Sequence, residues 1–224
     1  MDLAALALSL ALAGATTLAL LLLGLPLAWW LVVSRARWRP LVEAVVALPV
    51  VLPPTVLGFY LLVFLAPDAP LGRAFAAVAG HPFPFSFAGL LCASVLYSLP
   101  FAVQPFTAAL GGVDPALLEA AHVLGASRRR AFLTVALPLA WRGVVAGAVL
   151  AFAHTLGEFG VVLMVGGAIP GQTRTLSIAL FDQVQALDYG AAHRTAALLL
   201  ACAFAVLVGV SILQRRRATP WTGR

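Results

Sequence analysis

Apolar residues gather in five long stretches, and the polar residues collect between them. Residues 9–33, 44–66, 85–110, 143–166 and 195–213 are each about as long as the roughly 20 residues that an α-helix needs to cross a bilayer core. Of these stretches only the fourth carries a formal charge, at Glu158. The pattern predicts an all-α integral membrane protein with five transmembrane helices and one membrane domain over residues 1–224.

The stretches differ in detail. Leu3 to Ser34 is uncharged and longer than a span requires, so about ten residues are left for the interface. Arg35, Arg37 and Arg39 follow it as a stop-transfer cluster, and no basic start precedes the apolar core as it would in a cleaved signal. The second stretch holds Pro49 and the pair Pro53–Pro54, which remove backbone donors and predict a kink or break next to Gly58. A break there suits a helix that lines a path. Residues 67–84, with Asp68, Arg73, His81 and several prolines, read as an irregular loop, and Pro100 and Pro105 lie inside the third stretch. In the fourth, Gly143, Ala146, Gly147, Ala151, Gly157 and Gly160 allow close helix approach. Glu158 is costly in a membrane unless it faces protein or water, so it is expected in a hydrogen-bonded network by the path, with His154 four residues earlier on the same helical face. Residues 168–194 are too polar to span, and Leu176, Leu180, Val184 and Leu187 mark a helical face that lies at the interface or dips partway into the membrane.

Between the third and fourth stretches, Asp114 to Pro138 concentrates polarity and positive charge. Asp114 followed by Pro115 reads as a helix start and Gly125 as its stop, with Leu117, Leu118, Ala121 and Leu124 on one face. A second start at Ser127 puts Arg128, Arg129 and Arg130 in a first turn, where the helix dipole disfavours cations. Something outside that helix is expected to use them.

Composition sharpens this picture. Hydrophobic residues make up 62% of the 224 and charged ones 10%, with a mean hydropathy of +1.03. The net charge of +6 comes from fourteen arginines against eight acids, with no lysine. The basic balance sits beside apolar spans, so the membrane accounts for it and nucleic acid is not implied. Five spans with the N-terminus outside and the C-terminus cytoplasmic put eleven arginines inside: 35, 37, 39, 128, 129, 130, 142, 215, 216, 217 and 224. Cys92 and Cys202 lie in apolar runs, as small hydrophobes.

Chemistry finds no foothold. Without lysine there is no phosphate-binding loop for ATP, no serine sits in a G-x-S-x-G setting, and His81, His122, His154 and His193 lack metal-ligand spacing. No catalytic, cofactor or metal site is expected, and energy for any transport has to come from a partner or a gradient.

Glu119-Ala120-Ala121, three residues, Gly125, nine residues and Val135-Ala136-Leu137-Pro138 resemble the E-A-A-x3-G-x9-I-x-L-P signature of ABC importer permeases, with valine for isoleucine. Leu48 to Leu62, Leu156 to Gly167 and Ile169 to Ala192 further resemble permeases of molybdate/tungstate importers, and sulfate permeases are close relatives. The resemblance implies the type I importer architecture. In it Glu119, Ala120, Ala121, Gly125, Arg128 and Pro138 belong to a cytoplasmic coupling helix docked on an ATPase, tethered by Pro138 to the next span. Pro53, Pro54, Gly58, Thr155, Gly157, Glu158 and Gly160 are the candidates for the translocation path or gate. Implied partners are a second copy of the chain, two ATPase subunits, an extracytoplasmic oxyanion-binding protein and the bilayer of the inner membrane. No regulatory domain follows the last span, so inhibition through one is not implied. A sulfate or thiosulfate permease is the alternative in the same class, and a gradient-driven anion carrier or membrane-bound enzyme the alternative in another.

Overall fold

The computed structural model describes residues 2–215, all-helical apart from short connections; Arg216, Arg217 and Arg224 of the expected cytoplasmic set lie outside the described residues. The helices are α1 (Leu3–Val33), α2 (Arg39–Val51), α3 (Pro54–Phe64), α4 (Pro70–Ala79), α5 (Phe87–Gly111), α6 (Pro115–Val123), α7 (Arg128–Ala131), α8 (Leu137–Gly157), α9 (Gly160–Gly166), α10 (Leu176–Gln185) and α11 (Tyr189–Arg215).

The bundle is built around α5, which packs against α1, α2, α8 and α9. Phe106, Val103 and Leu110 of α5 are fully buried with Leu20 and Leu31 of α1 and Ala140 of α8. Lipid is as apolar as leucine, so close packing rather than water exclusion has to hold such helices together. The small residues of α8 supply it. A Cβ on Gly147 would come within 2.9 Å of the Phe106 ring, and one on Gly143 would run into Ala109 Cβ. By contrast α11 is peripheral: 11% of its most apolar eighteen residues are buried, against 44% in α5.

Among the described residues four helices are long and apolar enough to cross a membrane: α1, α5, the Arg128–Gly157 rod and α11. The second expected span, 44–66, starts at Arg39 and is broken, as its prolines predict, into two helices, α2 and α3, bent by 113° at Leu52–Pro53; together they are long and apolar enough for a fifth, broken span. Pro49 is accommodated inside α2, while Pro54 begins α3, the position where proline's missing N–H costs nothing. The tandem prolines therefore end one helix and start another rather than kink one.

Other bounds move too. α1 begins at Leu3, because the Asp2 carboxylate caps it by accepting from the Ala5 N–H at 3.0 Å. The expected loop 67–84 contains α4, started by Pro70 and stopped by Gly80 in the left-handed conformation at φ 74°. The expected interfacial helix is α10, but Leu176 to Ala179 are buried against the bundle, while Val184 and Leu187 of the predicted face are exposed. The last helix starts at Tyr189 instead of Thr195.

The largest revision concerns the fourth span, expected over 143–166. The helical path starts at Arg128, passes through a π-helical turn at Phe132–Ala136 and ends at Gly157, and α9 follows as a separate short helix. Leu137 N–H reaches back five residues to the Phe132 carbonyl, the widened turn that lets Pro138 sit two residues into α8 without breaking the path. Pro138 is therefore no tether between separate elements. It lies within one rod of 30 residues.

Candidate functional site

Two places stand out, one at each end of that rod. At the first end α6 lies on the edge of the bundle with no fully buried residue. The Asp114 carboxylate caps it by accepting from the Ala116 N–H at 2.9 Å. Its C-terminus closes as a Schellman motif: Ala126 N–H donates to the Ala121 carbonyl at 2.9 Å and Gly125 N–H to the His122 carbonyl at 2.9 Å. This requires a left-handed residue at the turn, which Gly125 provides at φ 84°. The spacing from Ala121 to Gly125 is thus the spacing of a helix stop. Leu118 and Ala121 face the bundle partly buried, whereas Val123 and Leu124 are 88% and 87% exposed and Leu117 is half exposed. The expected apolar face is split, with Leu118 and Ala121 inward and the tip outward. Glu119, Ala120 and Arg128 to Arg130 are exposed beside that tip, and Glu119 makes no ion pair among the described residues.

Ser127 opens α7 by accepting from the Arg130 N–H at 3.3 Å, so the three arginines lie in a first turn as expected. α6 packs on α7 and on the Phe132–Ala136 turn. α6 therefore rests directly on the base of the rod, which at roughly 1.5 Å per residue is about 45 Å long.

At the other end two helix breaks meet. α8 stops at Gly157, Glu158 is extended (φ −65°, ψ 134°), and α9 starts at Gly160. A Cβ on Gly160 would lie 2.7 Å from Pro54 Cβ, and one on Gly58 2.7 Å from Met164 Cβ, so α3 and α9 are in backbone-close contact just beyond both breaks. Pro53, Pro54, Gly58, Glu158 and Gly160 are brought together as one seam. Gly157 stands apart from it, exposed and with nothing within 4 Å of an added Cβ. Thr155 is buried next to the seam, donating to the Ala151 carbonyl at 3.0 Å and sharing a hydrogen bond with Ser98 Oγ at 2.9 Å.

Because the helix ends before it, Glu158 does not share a face with His154. His154 Nδ1 instead pairs with Ser98 Oγ at 2.9 Å, and its ring stacks on Phe101 at 3.8 Å. Glu158 is 4% exposed, and neither carboxylate oxygen has a hydrogen-bond partner. The Ser94 hydroxyl is within electrostatic reach but outside hydrogen-bond geometry. The network expected around this carboxylate is absent among the described residues. Its main chain is held instead, by Ser177 Oγ of α10 donating to the Glu158 carbonyl. An unpartnered buried carboxylate costs stability, so packing alone does not account for it.

Sequence reasoning missed Ser94, Tyr97 and Ser98 of α5, which face this end of α8. Hydroxyls at i and i+4 in an otherwise apolar helix were the available signal. It also missed Ser177, whose role depends on α10 folding back onto the break.

Residues 4–218 match the family described as binding-protein-dependent transport system inner membrane component. The chain is 49% identical over 217 residues to the molybdenum transport system permease protein ModB of Azotobacter vinelandii, covering 97% of this chain and 96% of that one. To the sulfate transport system permease protein CysT of Salmonella typhimurium it is 34% identical over 193 residues, covering 86% and 69%. Among solved structures, a chain of a bacterial alginate ABC transporter, crystallised in complex with an alginate pentasaccharide-bound periplasmic protein, superimposes with a TM-score of 0.75 at 18% identity, covering 97% of this chain and 79% of that one. At that identity the likeness speaks for the fold.

Proposed function

The chain belongs to the binding-protein-dependent transport system inner membrane components, and from that premise we propose that it is the permease subunit of an ATP-driven importer for molybdate or tungstate. It is a transport component rather than an enzyme, and ATP hydrolysis belongs to a separate subunit. The observation that carries the coupling reading is α6: a short helix capped at both ends, exposing an apolar tip and seated on the base of a rod that ends at the seam.

In this reading two copies of the chain form the path, α6 of each docks on an ATPase subunit through Val123, Leu124 and Glu119, and a soluble oxyanion-binding protein delivers the anion from outside. When the ATPases close on ATP, each α6 shifts, α7 and the π-helical turn follow, and α8 tilts. Displacement at its far end separates Gly160 from Pro54 and opens the seam. The coupling consists of the different affinities of the partners for the closed and open arrangements. The dianion itself is not held here: no arginine lies along the seam to pair with it, so selectivity rests with the binding protein. The greater identity to a molybdenum permease than to a sulfate permease favours molybdate over sulfate.

The test is titration of the cognate binding protein with molybdate, tungstate and sulfate, followed by uptake in proteoliposomes holding the full assembly. ATP-dependent molybdate uptake is expected, lost on Glu119→Arg with normal insertion. Uptake that needs no ATPase and collapses with a protonophore would overturn the reading in favour of a gradient-driven carrier.

A further inference from the structure

A cavity of ≈ 590 Å³ opens at the arginine-bearing rim, between the end of α1 and the α6–α7 turn. Its lining includes Trp29, Trp30, Ser34, Arg35, His122 and Arg128, and no carboxylate. Neither guanidinium forms an ion pair among the described residues, where the ion pairs are Arg39–Glu43, Arg174–Asp2 and Arg174–Asp182. Two uncompensated positive charges converging on one concave space are unfavourable unless an anion joins them. The remaining groups also favour one. The indole N–H of Trp29 and of Trp30 can only donate, and neither has a partner among the described residues. The Ser34 hydroxyl is already an acceptor for the Ala36 N–H at 3.2 Å, and His122 Nδ1 is engaged with the Ala126 carbonyl at 2.9 Å. Aromatic contacts fix the walls: Trp29 meets Phe132 at 5.1 Å and Trp30 meets Trp38 at 4.6 Å.

We propose that this cavity binds a phosphate-type oxyanion. Tryptophan beside arginine at the end of a spanning helix is the arrangement found at headgroup depth, where the phosphodiester of an anionic lipid carries this chemistry; free phosphate carries it too. The occupant bridges α1 to the first turn of the rod through Arg35 and Arg128. It thereby ties the fixed bundle to the element that moves, independently of which substrate the permease carries.

The full-length chain is placed in phosphatidylcholine nanodiscs containing either brominated phosphatidylglycerol or brominated phosphatidylcholine, and tryptophan quenching is measured. A separate arm titrates sodium phosphate into unbrominated phosphatidylcholine discs. Each guanidinium is expected to contribute roughly fivefold to binding, so R35Q with R128Q lowers affinity about 25-fold. Arg37→Gln, a neighbouring arginine that does not line the cavity, is expected to behave like wild type. Preferential quenching by phosphatidylglycerol alone identifies the lipid source, and a saturable response to phosphate identifies the free anion; either supports the site when the double variant abolishes it. Equal quenching by the two lipids with no phosphate response, or equal losses for Arg37→Gln and the double variant, overturns it.

Discussion

Replacing Gly160 by alanine puts a methyl carbon 2.7 Å from Pro54 Cβ, where apolar carbons prefer roughly 3.5–4.0 Å. Relief requires about 1 Å of separation, and neither neighbour has a flexible end to swing away. Pro54 is a ring in the first turn of α3, and Gly160 is the first residue of α9. The displacement therefore falls on the helices themselves. Overpacking of this kind costs about 1–3 kcal/mol, which at roughly 3 °C per kcal/mol lowers the melting temperature by about 3–9 °C. If the seam is the gate, the cost falls on its closed arrangement, and about 1–3 kcal/mol shifts a two-state equilibrium roughly 5–150-fold toward open. Molybdate flux without ATP should rise and the anion transported per ATP should fall in proteoliposomes. Gly157→Ala is the internal control. It lies three residues away, meets nothing within 4 Å, and should leave both quantities at wild-type values. Unchanged melting and unchanged flux in Gly160→Ala would falsify the close approach of α3 and α9. A lower melting temperature with normal molybdate per ATP would leave the packing argument intact and remove the gating role.

Three further outcomes are expected. Gly125→Val forces a β-branched residue into φ 84° and should cost about 1–2 kcal/mol of local stability, uncoupling ATP hydrolysis from uptake while the chain inserts normally; retained coupling would show that the Schellman stop is dispensable. Glu158→Gln replaces a buried carboxyl group that has no hydrogen-bond partner by an amide of the same shape and should leave the melting temperature nearly unchanged while uptake falls, so a clear loss of stability would show that the carboxyl group serves packing. Arg174→Gln breaks the partly exposed pairs to Asp182 at 2.9 Å and Asp2 at 3.3 Å that tie the start of α1 to α10. Each is worth about 0–1 kcal/mol, so a small melting shift at low salt should shrink in 0.5 M salt, and a salt-independent shift would point to lost packing instead.

The helical class, the apolar stretches and the chemistry of α6 were legible in the chain because each depends on local rules. Long uncharged runs have no alternative to helices in lipid. Asp114-Pro115 and Gly125 start and stop a helix through their own backbone preferences, and the structure keeps both. α4 was equally written, by Pro70 and Gly80, but the surrounding prolines pointed to a loop and masked a proline standing where a helix begins. Where the path of α8 starts and ends was not local. Pro138 looked like a boundary, yet a π-helical turn absorbs it, and the apolar stretch running past Gly157 looked like one continuous helix although Glu158 is extended and a separate helix starts at Gly160. The reason is tertiary: α10 folds back so that Ser177 holds the Glu158 carbonyl, and α3 takes the place beside Gly160 that a continuous helix would have swept through. By itself the sequence determined where the long apolar helices run and which polar segment carries a capped helix between them. Only the packing of segments about a hundred residues apart decided that the two breaks, at Pro53 and Glu158, close on each other, since such contacts follow from shape rather than from the preference of any single residue.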